Sequence, residues 1–194
     1  RFWKSGSRSG AAGRSAARMK SSNFSDFLTP KMPSDLLRLY AALLDELQDR
    51  GLIRSTNNPV GDYAEFLVVQ ALGLEPGRKS AKGFDAIDPL TKKKYEVKSR
   101  RVTRHNKSRM LSAIRDIEAA HFDCLVGVLF NEDFSFDKAC AIPAAVVIAN
   151  SKYRTHTNAH ILKLDDFLWL EPGVVDISEK IRAVVARVDV AASL

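Results

Sequence analysis

The stretch that most constrains this chain runs from Gly83 to Arg109. It contains Gly83-Phe84-Asp85-Ala86-Ile87-Asp88, a break at Pro89-Leu90-Thr91, and then Lys92-Lys93-Lys94-Tyr95-Glu96-Val97-Lys98-Ser99-Arg100-Arg101. On both sides of the break, polar or charged residues alternate with apolar or aromatic ones. That period of two is the signature of a β-hairpin. A turn centred on Leu90 and Thr91 sets Asp85 opposite Glu96. Glu96 and Lys98 then share one face of their strand, while Tyr95 and Val97 share the other. Two carboxylates and an ammonium are thereby predicted to converge on one patch of sheet.

Such a patch has a chemical meaning. Two carboxylates about 4 Å apart repel by roughly 4 kcal/mol at an effective dielectric of about 20. Lys98 offsets part of that repulsion, and a divalent cation would offset more. Mg²⁺ is commonly held by one or two carboxylates together with waters and substrate phosphates. A metal-bound water is a nucleophile near neutral pH, and the metal stabilises charge on a phosphoryl oxygen. Phosphodiester hydrolysis is within the reach of this hairpin. A surface hairpin with cross-strand charge pairs is the plainer reading.

An Asp followed about ten residues later by Glu-X-Lys, here Asp85 with Glu96-Val97-Lys98, resembles the PD-(D/E)XK, or restriction-endonuclease-like, nuclease superfamily. The resemblance implies Asp85 and Glu96 as ligands of Mg²⁺ (or Mn²⁺), with the Val97 carbonyl as a third. It implies Lys98 as the group that positions or activates the attacking water. Phe84 stands where the family name has proline, a position that varies widely. Many such nucleases also carry a glutamate on the helix before the hairpin. In Gly61-Asp62-Tyr63-Ala64-Glu65-Phe66 the candidate is Glu65, with Asp62 as the alternative. A salt-bridged or solvated Glu65 is the competing reading, since an unpaired buried charge is costly.

Charge matters by its distribution. The formal charge of +7 owes much to residues 1–20, where Arg1, Lys4, Arg8, Arg14, Arg18 and Lys20 meet no acid. Without those six cations the rest carries +1. This Ser/Gly/Ala-rich segment reads as disordered. It is either the remnant of a fusion upstream of Met19 or a basic arm for nucleic acid. From Lys92 to Arg109, nine Lys or Arg face the single Glu96. Arg100, Arg101, Arg104, Lys107 and Arg109 are the candidate contacts to a phosphate backbone.

The remaining chain supplies context. A polar lead-in over 21–34 precedes a helix from Ser34 to about Arg50, with Leu36, Leu37, Tyr40, Leu43, Leu44 and Leu47 on one stripe. A second helix is predicted from Val60 to Leu72, ended by Gly73. Beyond the hairpin, Leu111, Ile114 and Ile117 predict a helix over 108–120. Residues 122–130 read as a strand buried on both faces, 137–142 as a further strand, and Pro143 as the opening of a short helix to Asn150. Residues 151–158 read as a polar loop, 159–164 as a strand, and 177–188 as a closing helix. His156 and His160 read as incidental. Cys124 and Cys140, both in apolar runs, read as reduced packing residues, and the cysteine and histidine spacings match no zinc site. No apolar run reaches the length of a membrane span.

The order from Val60 to Asn150 is similar to the core of the same superfamily. The fold expected is α/β, a mixed central β-sheet flanked by helices, as a single domain over 33–194 (core about 60–150) behind a basic tail over 1–32. The activity expected is Mg²⁺-dependent endonucleolytic cleavage of DNA, most readily double-stranded, by a cytoplasmic restriction or repair-type enzyme that works alone or as a homodimer. The alternatives are a non-catalytic nucleic-acid-binding or assembly module, and metal-dependent chemistry on another phosphate ester.

Overall fold

The computed structural model describes residues 21–77, 83–119 and 121–191; the basic segment 1–20 lies outside the described residues. The described residues open with α1 (Ser21–Leu28), α2 (Pro33–Asp49) and α3 (Val60–Leu72). The stretch read as a polar lead-in is thus partly helical. Pro33 at the start of α2 needs no amide partner there, and Gly73, at φ 65°, closes α3 in the left-handed region.

Strands β1 (Glu75–Pro76), β2 (Ala86–Ile87), β3 (Lys94–Arg101), β4 (Cys124–Phe130) and β5 (Phe136–Pro143) follow. After α4 (Ala144–Asn150) come the small pair β6 (Lys152–Arg154) and β7 (Ala159–Ile161), then β8 (Val175–Asp176) and α5 (Ser178–Ala191). The main sheet is six-stranded and mixed, in the order β1-β2-β3-β4-β5-β8. Among the described residues, only β3 and β4 run parallel, and the other neighbouring pairs are antiparallel.

Alternation along β4 builds two cores. Val126, Val128 and Phe130 join Leu67 and Val68 of α3 and Ile181 of α5 on one face. Leu125 and Leu129 join Cys140, Ile142, Val147, Leu162 and Leu164 on the other. Gly127 belongs to the second face, where a Cβ would stand 2.7 Å from Leu164, so only glycine admits that leucine onto the strand. Cys124 and Cys140 are both buried and unbridged. Burial pushes the Cys140 thiol up to about 12.

No α-helix forms over 108–119 of the helix predicted for 108–120, whose last residue lies outside the described residues. Among the described residues, 102–119 and 121–123 cross from β3 to β4 as irregular chain, broken only by a 3-10 turn at Ile117–Ala119. Its amides bond to the chain around β7 instead: Leu111 N–H to the Leu162 carbonyl, and Ile114 with His160 in both directions, all at 2.9 Å. Asp116, at φ 49°, also breaks helical geometry. Leu111, Ile114 and Ile117 are buried as predicted, because a chain draped over a sheet can turn every third residue inward without coiling.

Candidate active site

The hairpin has the register read from its alternation. Ala86 pairs with Tyr95 and Ile87 with Lys94, which carries Asp85 opposite Glu96; the Asp85 amide donates to the Tyr95 carbonyl at 2.8 Å. The turn is organised by Asp88, whose Oδ1 accepts from the amides of Leu90 and Thr91 at 2.8 and 3.1 Å. Those bonds hold its carboxyl below the usual aspartate range.

Two faces of β3 receive different partners. Tyr95 and Val97 pack into the first core, and Ser99 Oγ donates to the Val60 carbonyl of α3 at 3.1 Å. Glu96, Lys98 and Arg100 therefore point the other way. Across β4 and β5 they form three rows: Glu96-Leu125-Ile142, Lys98-Gly127-Cys140 and Arg100-Leu129-Lys138.

On that second face the three chemical groups meet. Asp85 stands across the hairpin from Glu96, near enough for its charge to act on the Glu96 carboxyl. Lys98 Nζ bonds to Glu96 Oε1. Asp85 Oδ2 accepts the Val97 amide at 2.8 Å, which fixes the aspartate rotamer. Because N–H and C=O of an extended residue point to the same side, the Val97 carbonyl also faces the Asp85 edge. The Glu96 and Lys98 side chains are only 13% and 19% exposed. Burial pushes the Glu96 carboxyl above the ordinary glutamate range; Lys98 offsets part of that, and Asp85 adds to it.

A shared proton is one way to relieve two facing carboxylates, and a hard divalent cation is another. The donors here are oxygens only, two carboxylates with a backbone carbonyl beside them, which suits Mg²⁺ better than a thiol- or imidazole-seeking metal. Among the described residues no third His, Cys, Asp or Glu completes a group able to hold a metal.

Glu65 is not brought to the pair. It lies on α3, against the opposite face, and forms an ion pair with Arg54; the charges acting on Glu96 are Lys98 and Asp85. Asp62 has a structural task, its Oδ2 accepting from the amides of Arg54 and Ser55 at 2.8 and 2.7 Å. The link from Glu65 to the site is indirect. Arg54 Nη1 donates to the Gly77 carbonyl at 3.3 Å, and the Gly77 amide donates to the Asp85 carbonyl at 2.7 Å. A Cβ on Gly77 would approach that carbonyl to 3.0 Å, so glycine permits the contact. Nothing in the local pattern marks Arg54, since its role depends on how a loop folds back on α3.

The basic strip is spread around the C-terminal end of β3. Arg100 Nε donates to the Ser108 carbonyl at 3.1 Å. The Arg101 guanidinium stands 4.3 Å from the Phe134 ring centre. Arg104 faces Glu132 at 3.4 Å, and Lys107 is exposed. Arg109 shares Asp166 with Lys138, at 3.0 and 2.6 Å, and hydrogen bonds from Lys138 and then Arg109 lower the Asp166 carboxyl. Lys138 is the cation that sequence reasoning missed; only the β4–β5 register puts it in line with Arg100. His160 Nδ1 lies 3.0 Å from Ser151 Oγ and its ring packs against Tyr153, a local structural role.

Fold and site together define a mixed α/β protein with a carboxylate–carboxylate–lysine cluster at a hairpin of its sheet. No protein-family model matches the chain, and no curated protein is significantly similar to it. Among the described residues, no helix is long and apolar enough to cross a membrane.

Proposed function

We propose that this chain is a metal-dependent endonuclease of the PD-(D/E)XK type that hydrolyses DNA phosphodiester bonds, with Asp85, Glu96 and Lys98 as its catalytic set. The observation that carries the reading is the hairpin register that sets Asp85 across from Glu96, two part-buried acids, with Asp85 held by the Val97 amide and Lys98 bonded to Glu96. Clustered like charges are costly for the fold, and a bound cation gives that cost a purpose.

Asp85 and Glu96 would hold Mg²⁺ or Mn²⁺, with the Val97 carbonyl beside them. When bound, the metal supplies charge neutralisation on the phosphoryl group and acidifies the attacking water. Lys98 donates a hydrogen bond from the same face and orients that water. The Val97 amide keeps Asp85 from rotating away, and Arg54 and Gly77 hold its backbone. Arg100, Arg101, Arg104, Lys107 and Arg109, with Lys138, line the backbone path. Their surface ion pairs are weak enough to be exchanged for phosphate.

Nicking of supercoiled plasmid by the pure protein tests the reading. Mg²⁺-dependent nicking is expected, abolished by chelator and by Asp85→Asn or Lys98→Ala, with DNA binding largely kept. Nicking retained in both variants overturns the site assignment. The closed Glu96–Lys98 pair also fits a non-catalytic nucleic-acid-binding module, which salt-sensitive binding without turnover would support.

A further inference from the structure

On β6 and β7, Lys152 pairs with Ile161, and just beyond β7 Lys163 bridges to Met110. Residues that pair share a face, and so do Ile161 and Lys163, two apart. The alternate residues Leu162 and Leu164 are fully buried in the second core, so Lys152, Ile161, Lys163 and Met110 look outward. Against that outer face the 3-10 turn Leu168–Leu170 closes a cleft of about 390 Å³. Its apolar lining is Met110, Ile161, Leu168 and Phe167. Phe167 is 79% exposed. Asp165 Oδ1 accepts the Leu168 amide at 3.3 Å, which holds the turn that presents this ring.

The charges around the cleft are mostly positive. Lys152, Arg154 and Lys163 line it with Asp165 and Glu171. Lys163 lies 3.8 Å from Asp165, whereas Lys152 and Arg154 form no ion pair among the described residues. These two are exposed and two apart on β6, so their Cα atoms stand about 7 Å apart, the spacing of successive phosphates on one strand. A duplex cannot enter a recess of this volume, which is that of a small-ligand pocket. An exposed ring beside an apolar lining suits the face of a base, and only an unpaired base offers its face. Glu171 is an acceptor only, so it suits the amino group of a base and not a phosphate. Position adds to this. Asp165 belongs to the cleft, and the next residue, Asp166, joins Arg109 and Lys138 at 3.0 and 2.6 Å. The cleft thus begins one residue from cations assigned above to the backbone path.

We propose that this cleft seats an unpaired nucleotide of a DNA strand, with its base against Phe167 and its flanking phosphates on Lys152 and Arg154. The preferred substrate is then DNA with a single-stranded stretch rather than plain duplex. The inference rests on the DNA-binding part of the proposed function and not on its catalytic set.

Fluorescence anisotropy of the whole chain in EDTA, where no cleavage intervenes, tests it. The probes are a blunt hairpin duplex and the same duplex with a short single-stranded tail of mixed sequence. The tailed probe should bind about tenfold more tightly. Phe167→Ala should remove about tenfold from the tailed-probe affinity and nothing from the blunt one, and Phe167→Tyr should keep it. Lys152→Ala with Arg154→Ala should lower the slope of log K against log salt on the tailed probe by about 1.4, two phosphates at about 0.7 each. All three side chains are exposed, so far-UV dichroism should not change. The basic segment 1–20 is common to every variant, so only the differences between them matter. Equal affinity for the two probes, or a tailed probe indifferent to Phe167→Ala, overturns the proposal while plasmid nicking stands. So does displacement of the tailed probe by deoxycytidine monophosphate as readily as by the unlabelled tailed duplex, since the occupant would then be a free nucleotide. No binding of either probe, together with no nicking, overturns this inference and the proposed function alike.

Discussion

The two faces of β3 differ in kind although they alternate along one strand. Toward α3, Tyr95, Val97 and Ser99 meet apolar packing and a backbone carbonyl. Away from it, Glu96, Lys98 and Arg100 meet a carboxylate, one another's charge and an irregular crossover. The first face stabilises the fold by burial, at about 1.5–3 kcal/mol for each large side chain. The second gathers charges that a stability-optimised sheet would avoid. A strand can hold such a cluster rigidly because its other face is anchored.

The sharpest separation of the two faces is expected in activity. Lys98→Ala should lower Mg²⁺-dependent plasmid nicking by about a thousandfold, or roughly 4 kcal/mol of barrier, while shifting the melting temperature little. Next in size is the opposite substitution. Leu67→Ala, which empties a fully buried site on the α3 face, should cost about 2–5 kcal/mol in denaturant unfolding and leave the Glu96–Lys98 pair intact. A comparable loss of nicking under fully folded conditions would break the distinction between faces.

Smaller effects sharpen it. Asp85→Asn should raise stability at neutral pH by on the order of 1 kcal/mol, because asparagine can still accept the Val97 amide without repelling Glu96. Urea titrations of the two proteins check this, and a loss of stability would show that the aspartate is structural. The smallest effect is in pH dependence. Glu96 titrates above its ordinary 4.5 in the folded chain, through burial first, with Asp85 adding to it and Lys98 opposing. Its contribution is therefore complete below about 4.5, the unfolded value, and is lost as pH rises through the higher folded value. The stability of Glu96→Gln relative to wild type should climb across that window and level off above it. A flat difference would mean that Glu96 is not perturbed.

The hairpin was readable in advance because its determinants are local. Alternation sets the faces, and a short turn sets the register, so Asp85, Glu96 and Lys98 meet without help from distant residues. Burial of Leu111, Ile114 and Ile117 was equally legible, yet their helix was not, since a spacing of three records which side is inward and not how the backbone travels. The backbone there follows partners some 50 residues on, at His160 and Leu162.

What the sequence by itself determined was the sheet-forming hairpin, α3, the doubly buried β4 and the short α4, each set by periodicity and end signals within a few residues. What only the tertiary structure decided was the pairing of Glu65 with Arg54, the alignment of Lys138 with Arg100 across β4, and the exposure of the α2 stripe. These depend on which elements come to lie side by side, and on whether a partner surface exists at all. An amphipathic pattern specifies that a face seeks cover, and the packing of the whole chain settles what it finds.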